Sequence, residues 1–264
     1  ARLYKIWNIP HWGTDEADYL DLASSIMGEG KNSRLYKRLV YDDQLADSVS
    51  AMVDLREIAG LFYIVADAKP GVELSRVEKA IDEELARFLE LGPKPEELER
   101  VRTGYLTNFI KGLEKVGGFS GKADILARAE TFTGRPDYYK ENLRHVRQAS
   151  PEIIKETARK WLSDGVYALE VLPYPQLSTI KTDIDRQKLP EPGQPPTPAF
   201  PRIEKATLSN GLKLILAERH SIPYVEMILI IDAGYAADQF ALPGTSSLAM
   251  QMLDEGTKKR SSLE

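Results

Sequence analysis

Six prolines fall within the twelve residues from Pro190 to Pro201 (PEPGQPPTPAFP) of this 264-residue chain. Proline has no amide hydrogen and a fixed φ, so a stretch this dense in it belongs neither inside a helix nor inside a sheet ladder. It reads as a semi-rigid extended linker. One continuous core across the chain is therefore not expected. The predicted organisation is a first domain over residues 1–175, a linker over 176–202 and the truncated start of a second unit over 203–264. Length agrees, since roughly 150 residues per domain gives a prior of about two.

Before the linker, periodicity predicts strands and helices in a definite order. Residues 2–9 alternate, with Leu3, Lys5 and Trp7 against Tyr4 and Ile6, and Pro10 closes the strand. Thr14 is placed to cap a helix over about 15–27, ended by Gly28 and Gly30. A short helix over 34–41 carries Leu35 and Leu39 on one side. Two β-like runs follow, 45–53 and 60–68 (GLFYIVADA), close enough in sequence for an antiparallel hairpin. Helices are predicted over 72–91, 95–113, 117–133, 136–146 and 150–162, then a strand over 166–172. Strands in hairpins, then consecutive helices, then a returning strand describe an α+β domain, a mainly antiparallel sheet with helices on one face. After the linker, alternating runs flank Asn210-Gly211, a hairpin signature. A third strand over 224–232 and a helix over 244–252 complete a small unit that buries little surface by itself.

Bulk properties exclude several function classes. The net charge of −5 and the absence of a Lys/Arg stripe give no reason to expect nucleic acid. No cysteine is present, which removes disulfides, thiolate metal sites and a cysteine nucleophile. No apolar run approaches the ~18–20 residues needed to cross a bilayer, so membrane insertion is not expected. No leader is visible at Ala1, and both ends read as cut.

Catalytic constellations are equally sparse. The three histidines, His11, His145 and His220, share no spacing that would put two imidazoles on one metal. Adjacent acids such as Asp15-Glu16 or Glu96-Glu97 diverge by about 100° on a helix and read as solvated faces or N-terminal charges rather than an acid–base pair. Gly28-Glu29-Gly30 follows a helix and lacks a third glycine, which argues against a phosphate loop. Gly244-Thr245-Ser246-Ser247 reads as a helix cap, and no base stands near Ser246 or Ser247 to make either a nucleophile.

Several segments nonetheless resemble one family. Gly28-x-Gly30-x-x-Ser33-Arg34-Leu35-Tyr36, Leu39-Val40-Tyr41, Leu45-Ala46-x-Ser48-Val49-Ser50, Gly60-Leu61-Phe62, Pro70-Gly71 and Gly92 through Leu98 are similar to the insulinase/pitrilysin (inverzincin) zinc metallopeptidases, in particular the inactive-type second domain of bacterial two-repeat members. The fold implied is the processing-peptidase type of domain. Residues 205–257 resemble the opening of a further repeat, through Asn210-Gly211, Asp232-Ala233-Gly234, Pro243-Gly244 and Glu255-Gly256-Thr257. In active domains of that family an HxxEH helix binds zinc. Here the corresponding five residues are Ser247, Leu248, Ala249, Met250 and Gln251, so no metal ligand and no catalytic residue is expected in this chain. Zinc is expected only in sequence preceding residue 1, in a two-halved peptidase closing around an unfolded peptide. The chain's implied partners are then the remaining domains of the same polypeptide and a peptide substrate, and its implied compartment is the periplasm. An arginine and a tyrosine that some relatives place near Val40 and Asp47 for substrate contact are missing. Gly30, Ser33 and Arg34 are the candidate substrate-proximal residues, or else they pack a tight helix–strand junction. A purely structural, scaffold-type homologue is the alternative to a peptidase component.

Overall fold

A computed structural model of the chain describes residues 1–173, 202–218, 220, 223–234, 236, 238 and 242–263. It divides into two compact units, Ala1–Leu172 with Val225–Glu264, and Pro173–Tyr224. The proline-rich stretch from Pro190 to Pro201 lies outside the described residues.

The first unit is built on a four-stranded antiparallel sheet. Strand β1 (Arg2–Ile9) leads into helix α1 (Asp15–Gly28), and a hairpin of β2 (Ala46–Leu55) and β3 (Gly60–Ala68) follows. Helices α2 (Leu74–Leu91), α3 (Pro95–Gly112), α4 (Lys122–Thr133), α5 (Tyr139–Gln148) and α6 (Pro151–Leu162) then precede β4 (Tyr167–Val171). The strand order is β2-β3-β1-β4. This is the α+β architecture that the element order predicts.

Alternation along the strands explains which face is covered. Leu3, Trp7 and Ile9 of β1, Val49 and Ala51 of β2, and Phe62, Ile64 and Ala66 of β3 are buried with Leu20, Ile26, Ile81, Phe88 and Ile154 from the helices. Lys5 shares this face and is itself buried, its ammonium paired with Glu78 and Asp82 of α2. A lysine on the core side of a strand is tolerated here because its charged end reaches carboxylates that remain partly exposed.

Local chemistry sets the helix ends. Thr14 Oγ1 accepts from the amide of Ala17 at the start of α1, and Ser150 Oγ accepts from Ile153 at the start of α6. Gly28 is the last residue of α1, as the sequence predicts, and it also packs closely against β2. A Cβ there would come 1.9 Å from the amide nitrogen of Ala51, so glycine is required by the close approach of helix and strand. The segment expected as an ordinary helix over 34–41 widens into a π-helix at Tyr36–Asp42, with the Asp43 amide donating to the carbonyl of Arg38 five residues back. Both Leu35 and Leu39 still reach the core. Helix α4 begins five residues later than predicted, because the glycine-rich residues before it form turns.

Elsewhere the described structure is thinner. In the second unit β5 (Ile203–Thr207) pairs with β6 (Lys213–Ala217) through the Asn210-Gly211 turn, where Gly211 adopts φ +87°. Every residue of both strands is exposed. The predicted strand over 224–232 does not form: residues 224–231 carry no ladder partner among the described residues and are largely exposed. Apolar β-branched sequence permits a strand, but only a paired edge makes one. Helix α7 (Thr245–Gln251) follows.

Candidate functional site

The Gly30-to-Arg34 segment is a hub of hydrogen bonds. Gly30 takes φ +74°, a left-handed backbone open to glycine at little cost. The buried Ser33 hydroxyl donates to the Gly30 carbonyl at 2.7 Å and closes the turn. Arg34 makes a forked contact with Glu97, Nε to Oε1 at 2.9 Å and Nη2 to Oε2 at 2.7 Å. Its Nη2 also donates to the carbonyl of Gly92, and its guanidinium lies 5.1 Å over the ring of Phe88. Glu97 in turn accepts the backbone N–H of Lys94. Burial pushes the Glu97 carboxyl up, but the Arg34 and Lys94 hydrogen bonds outweigh it and hold the group below its ordinary value. Glu84, 3.8 Å from Arg34 and 3.0 Å from Arg87, is raised by its burial despite both arginines. The planar fork of a guanidinium suits this kind of junction, and here Nε and Nη2 tie the end of α2 to the start of α3.

A second polar cluster lies under α5. Asp18 of α1 is buried and accepts from Tyr138 Oη at 3.1 Å and Asn142 Nδ2 at 2.7 Å, with His145 Nδ1 at 2.7 Å. Desolvation still lifts its carboxyl above the ordinary value, against the lowering effect of those three partners. His145, which the sequence places in no metal-binding spacing, has this carboxylate as its partner. Asn142 also accepts from Tyr105 Oη at 2.6 Å.

Between these clusters runs a cleft of about 820 Å³, walled by α1, the end of β2, α3 and α4. It is lined by Asp21 and Ser25 of α1 with Glu29 just beyond, Val53 to Leu55 of β2 with Arg56 just beyond, Tyr105 and Phe109 from α3, and Arg128 and Phe132 from α4. A smaller hollow of about 610 Å³ shares Asp21, Ser25, Glu29 and Val53 and continues along β2 past Gly28, Gly30 and Tyr36. Asp21 differs from Asp18, one turn away. Among the described residues no side chain is seen to donate to it, and burial with the nearby charges of Asp18 and Glu29 pushes its carboxyl up to about 7. Sequence reasoning did not single out Asp21. Its only local signal is an acid in the middle of an otherwise apolar helix turn (YLDLASS).

The degenerate segment is equally plain in space. Ser247, Met250 and Gln251 lie on α7 with exposed side chains. Asp238 takes the N-terminus of that helix, accepting from the amides of Gly244 and Ser246 at 3.0 Å each and from Ser246 Oγ at 2.9 Å. A hydroxyl, a thioether and an amide do not fit zinc, which takes imidazole, thiolate or carboxylate donors. Among the described residues no three such side chains come together elsewhere.

Comparison with known proteins gives part of this geometry a likeness. Residues 1–105 match the family described as the peptidase M16 inactive domain. The match covers the sheet strands β1 to β3 and the helices up to the first part of α3. A solved structure from Bordetella pertussis Tohama I, named as a zinc protease, is 23% identical with a TM-score of 0.58, and the alignment covers 66% of this chain and 94% of that one. The peptidase M16 inactive domain from Pseudomonas fluorescens is 19% identical, TM-score 0.54, over 63% of this chain and 39% of that one. The periplasmic protease PqqL from Escherichia coli is 13% identical, TM-score 0.53, over 63% of this chain but 18% of its own. At these identities the likeness is one of fold. The chain thus spans nearly all of one relative and well under half of the other two. No curated protein sequence matches it. Within the matched residues, Gly30, Ser33 and Arg34 form the joint described above, while Asp21 lines the cleft.

Proposed function

We propose that this chain is a non-catalytic part of a zinc-dependent metalloendopeptidase, supplying one wall of the chamber that encloses a peptide and, through residues 176–202, the hinge between halves. The observation that carries the reading is the groove along β2. It joins the two hollows beside an open sheet edge, in a domain of the M16 inactive type whose described residues offer no zinc donor set. An extended peptide suits such a place, since main-chain groups of an edge strand give affinity and neighbouring pockets select side chains. The name of the Escherichia coli relative supports a periplasmic location. Partners on this reading are the other domains of the polypeptide and the peptide itself. Among the described residues no helix is long and apolar enough to cross a membrane.

The test compares the full polypeptide containing these residues with the 264-residue chain. The former is expected to hold zinc and cleave unfolded peptides in a chelator-sensitive way. The latter is expected to do neither after dialysis, by elemental analysis and peptide hydrolysis. One tightly held zinc per 264-residue chain would overturn the assignment. A full polypeptide devoid of zinc and of cleavage would replace it with a scaffold role.

A further inference from the structure

The cleft holds a charge that the fold leaves unanswered. Asp18 is satisfied by Tyr138, Asn142 and His145, whereas Asp21 retains partial exposure and has no such set of donors. The charges that act on Asp21 are Asp18 and Glu29, both negative. The cationic groups lining the same cleft are committed or peripheral. Arg56 pairs with Asp54 at 2.9 Å, Arg128 lies 5.8 Å over the ring of Trp12, and Arg100 is exposed. From α4 Asp124 accepts the amide of Ser120. Tyr105 spends its hydroxyl on Asn142, and Tyr139 stacks on Phe109 with ring centres 6.1 Å apart. A carboxylate flanked by aromatic faces and by further acids is the chemistry that receives an organic cation. A divalent metal ion needs several oxygen donors at once. Among the described residues no three acidic or imidazole side chains come together around Asp21 to supply them.

We propose that this cleft is a selectivity pocket for a lysine or arginine side chain of an extended peptide, with Asp21 as its counter-charge and Tyr105, Phe109 and Tyr139 around its alkyl stem. This rests on the peptide-enclosing reading and deepens it by naming the residue class selected. The peptide backbone lies along β2, where the second hollow continues the groove. Arrival of the cation gives Asp21 the partner it lacks, so binding and ionisation of that carboxyl are linked, and selectivity rises with pH as the acid loses its proton.

The experiment is a calorimetric titration of the 264-residue chain, with Trp12 fluorescence in parallel. It uses end-capped extended peptides that differ only at one central residue: lysine, arginine or uncharged norleucine. At about pH 8 the lysine and arginine peptides are expected to bind about ten-fold tighter than the norleucine peptide, and near pH 5.5 the ratio falls toward one. In Asp21→Asn, which keeps the shape of the side chain, the ratio is near one at both pH values. Glu90→Gln, which removes an exposed acid of α2 outside both hollows, leaves the ratio within about two-fold. Equal affinity for all peptides at pH 8 overturns the cation pocket but leaves the peptide wall standing. An unchanged ratio in Asp21→Asn, or no binding of any peptide at millimolar concentration, also overturns the pocket, whereas the zinc and cleavage assays judge the larger assignment separately.

Discussion

Strands β3 and β6 carry the same kind of residue and meet opposite fates. In β3 (GLFYIVADA) every second residue from Gly60 to Ala68 is buried, with Phe62, Ile64 and Ala66 fully so. In β6 (KLILA) all five residues are exposed, Leu214 at 45% and Ile215 at 65%. Both strands are properly paired, β3 on two sides and β6 on one. The difference lies in the layer above them: α1, α2 and α6 cover the first sheet, and nothing among the described residues buries β6. Pairing is a property of the backbone and its turn, while burial is a property of what the rest of the chain brings. The thermodynamic weight of a hydrophobic residue follows the second.

Truncations break this comparison most sharply. Phe62→Ala removes a fully buried ring, and its expected cost is about 3–5 kcal/mol in chemical denaturation. Arg34→Ala should cost about 2–4 kcal/mol, because Glu97 is left largely buried without its counter-charge while Glu84 keeps Arg87. Retention of wild-type stability in either variant would show that the helix layer does not support the sheet as described. At the small end, Leu214→Ala on the exposed hairpin should change stability by less than about 0.5 kcal/mol.

Between these extremes stands a change that ought to stabilise. The folded state holds a proton on Asp21 up to about pH 7, whereas the unfolded chain releases it near the ordinary value of 3.8. Over that window the native state binds more protons than the unfolded one, so stability declines as pH rises and the penalty is complete above about 7. Asp21→Asn removes the penalty. It should raise stability by about 2–4 kcal/mol at pH 8 and by almost nothing below pH 4. Thermal melts across that range check the sign, and a variant less stable than wild type at pH 8 would contradict the placement of Asp21.

Most of the first unit was legible from residues alone, for reasons that are themselves local. Thr14 and Ser150 mark helix starts because a hydroxyl can satisfy a free amide, and the period-two runs mark β1, β2 and β3 because alternate side chains share a face. What escaped was set by distant neighbours. Gly28 reads only as a terminator until Ala51 is seen against it. Asp21 reads as one acid on a helix until α3 and α4 complete the cleft. The run from Val225 to Ile231 has every mark of a strand except a partner among the described residues. Arg34 was singled out through its motif, but its contacts with Gly92 and Glu97, some sixty residues on, could not be.

The strand order has a consequence for how this unit comes into being. Strand β1 sits between β3 and β4, so its outer hydrogen bonds, Arg2 with Val171 through Ile6 with Tyr167, wait for residues more than 160 positions later. On the ribosome, β1 is made before its outer partner and lacks it until all six helices from α1 to α6 have emerged. Closure across so long a loop is slow, and a waiting edge is open to strangers. Assembly of this sheet is thus a race between its own late strand and intermolecular pairing, which a chaperone that covers β1 would tip toward the native fold.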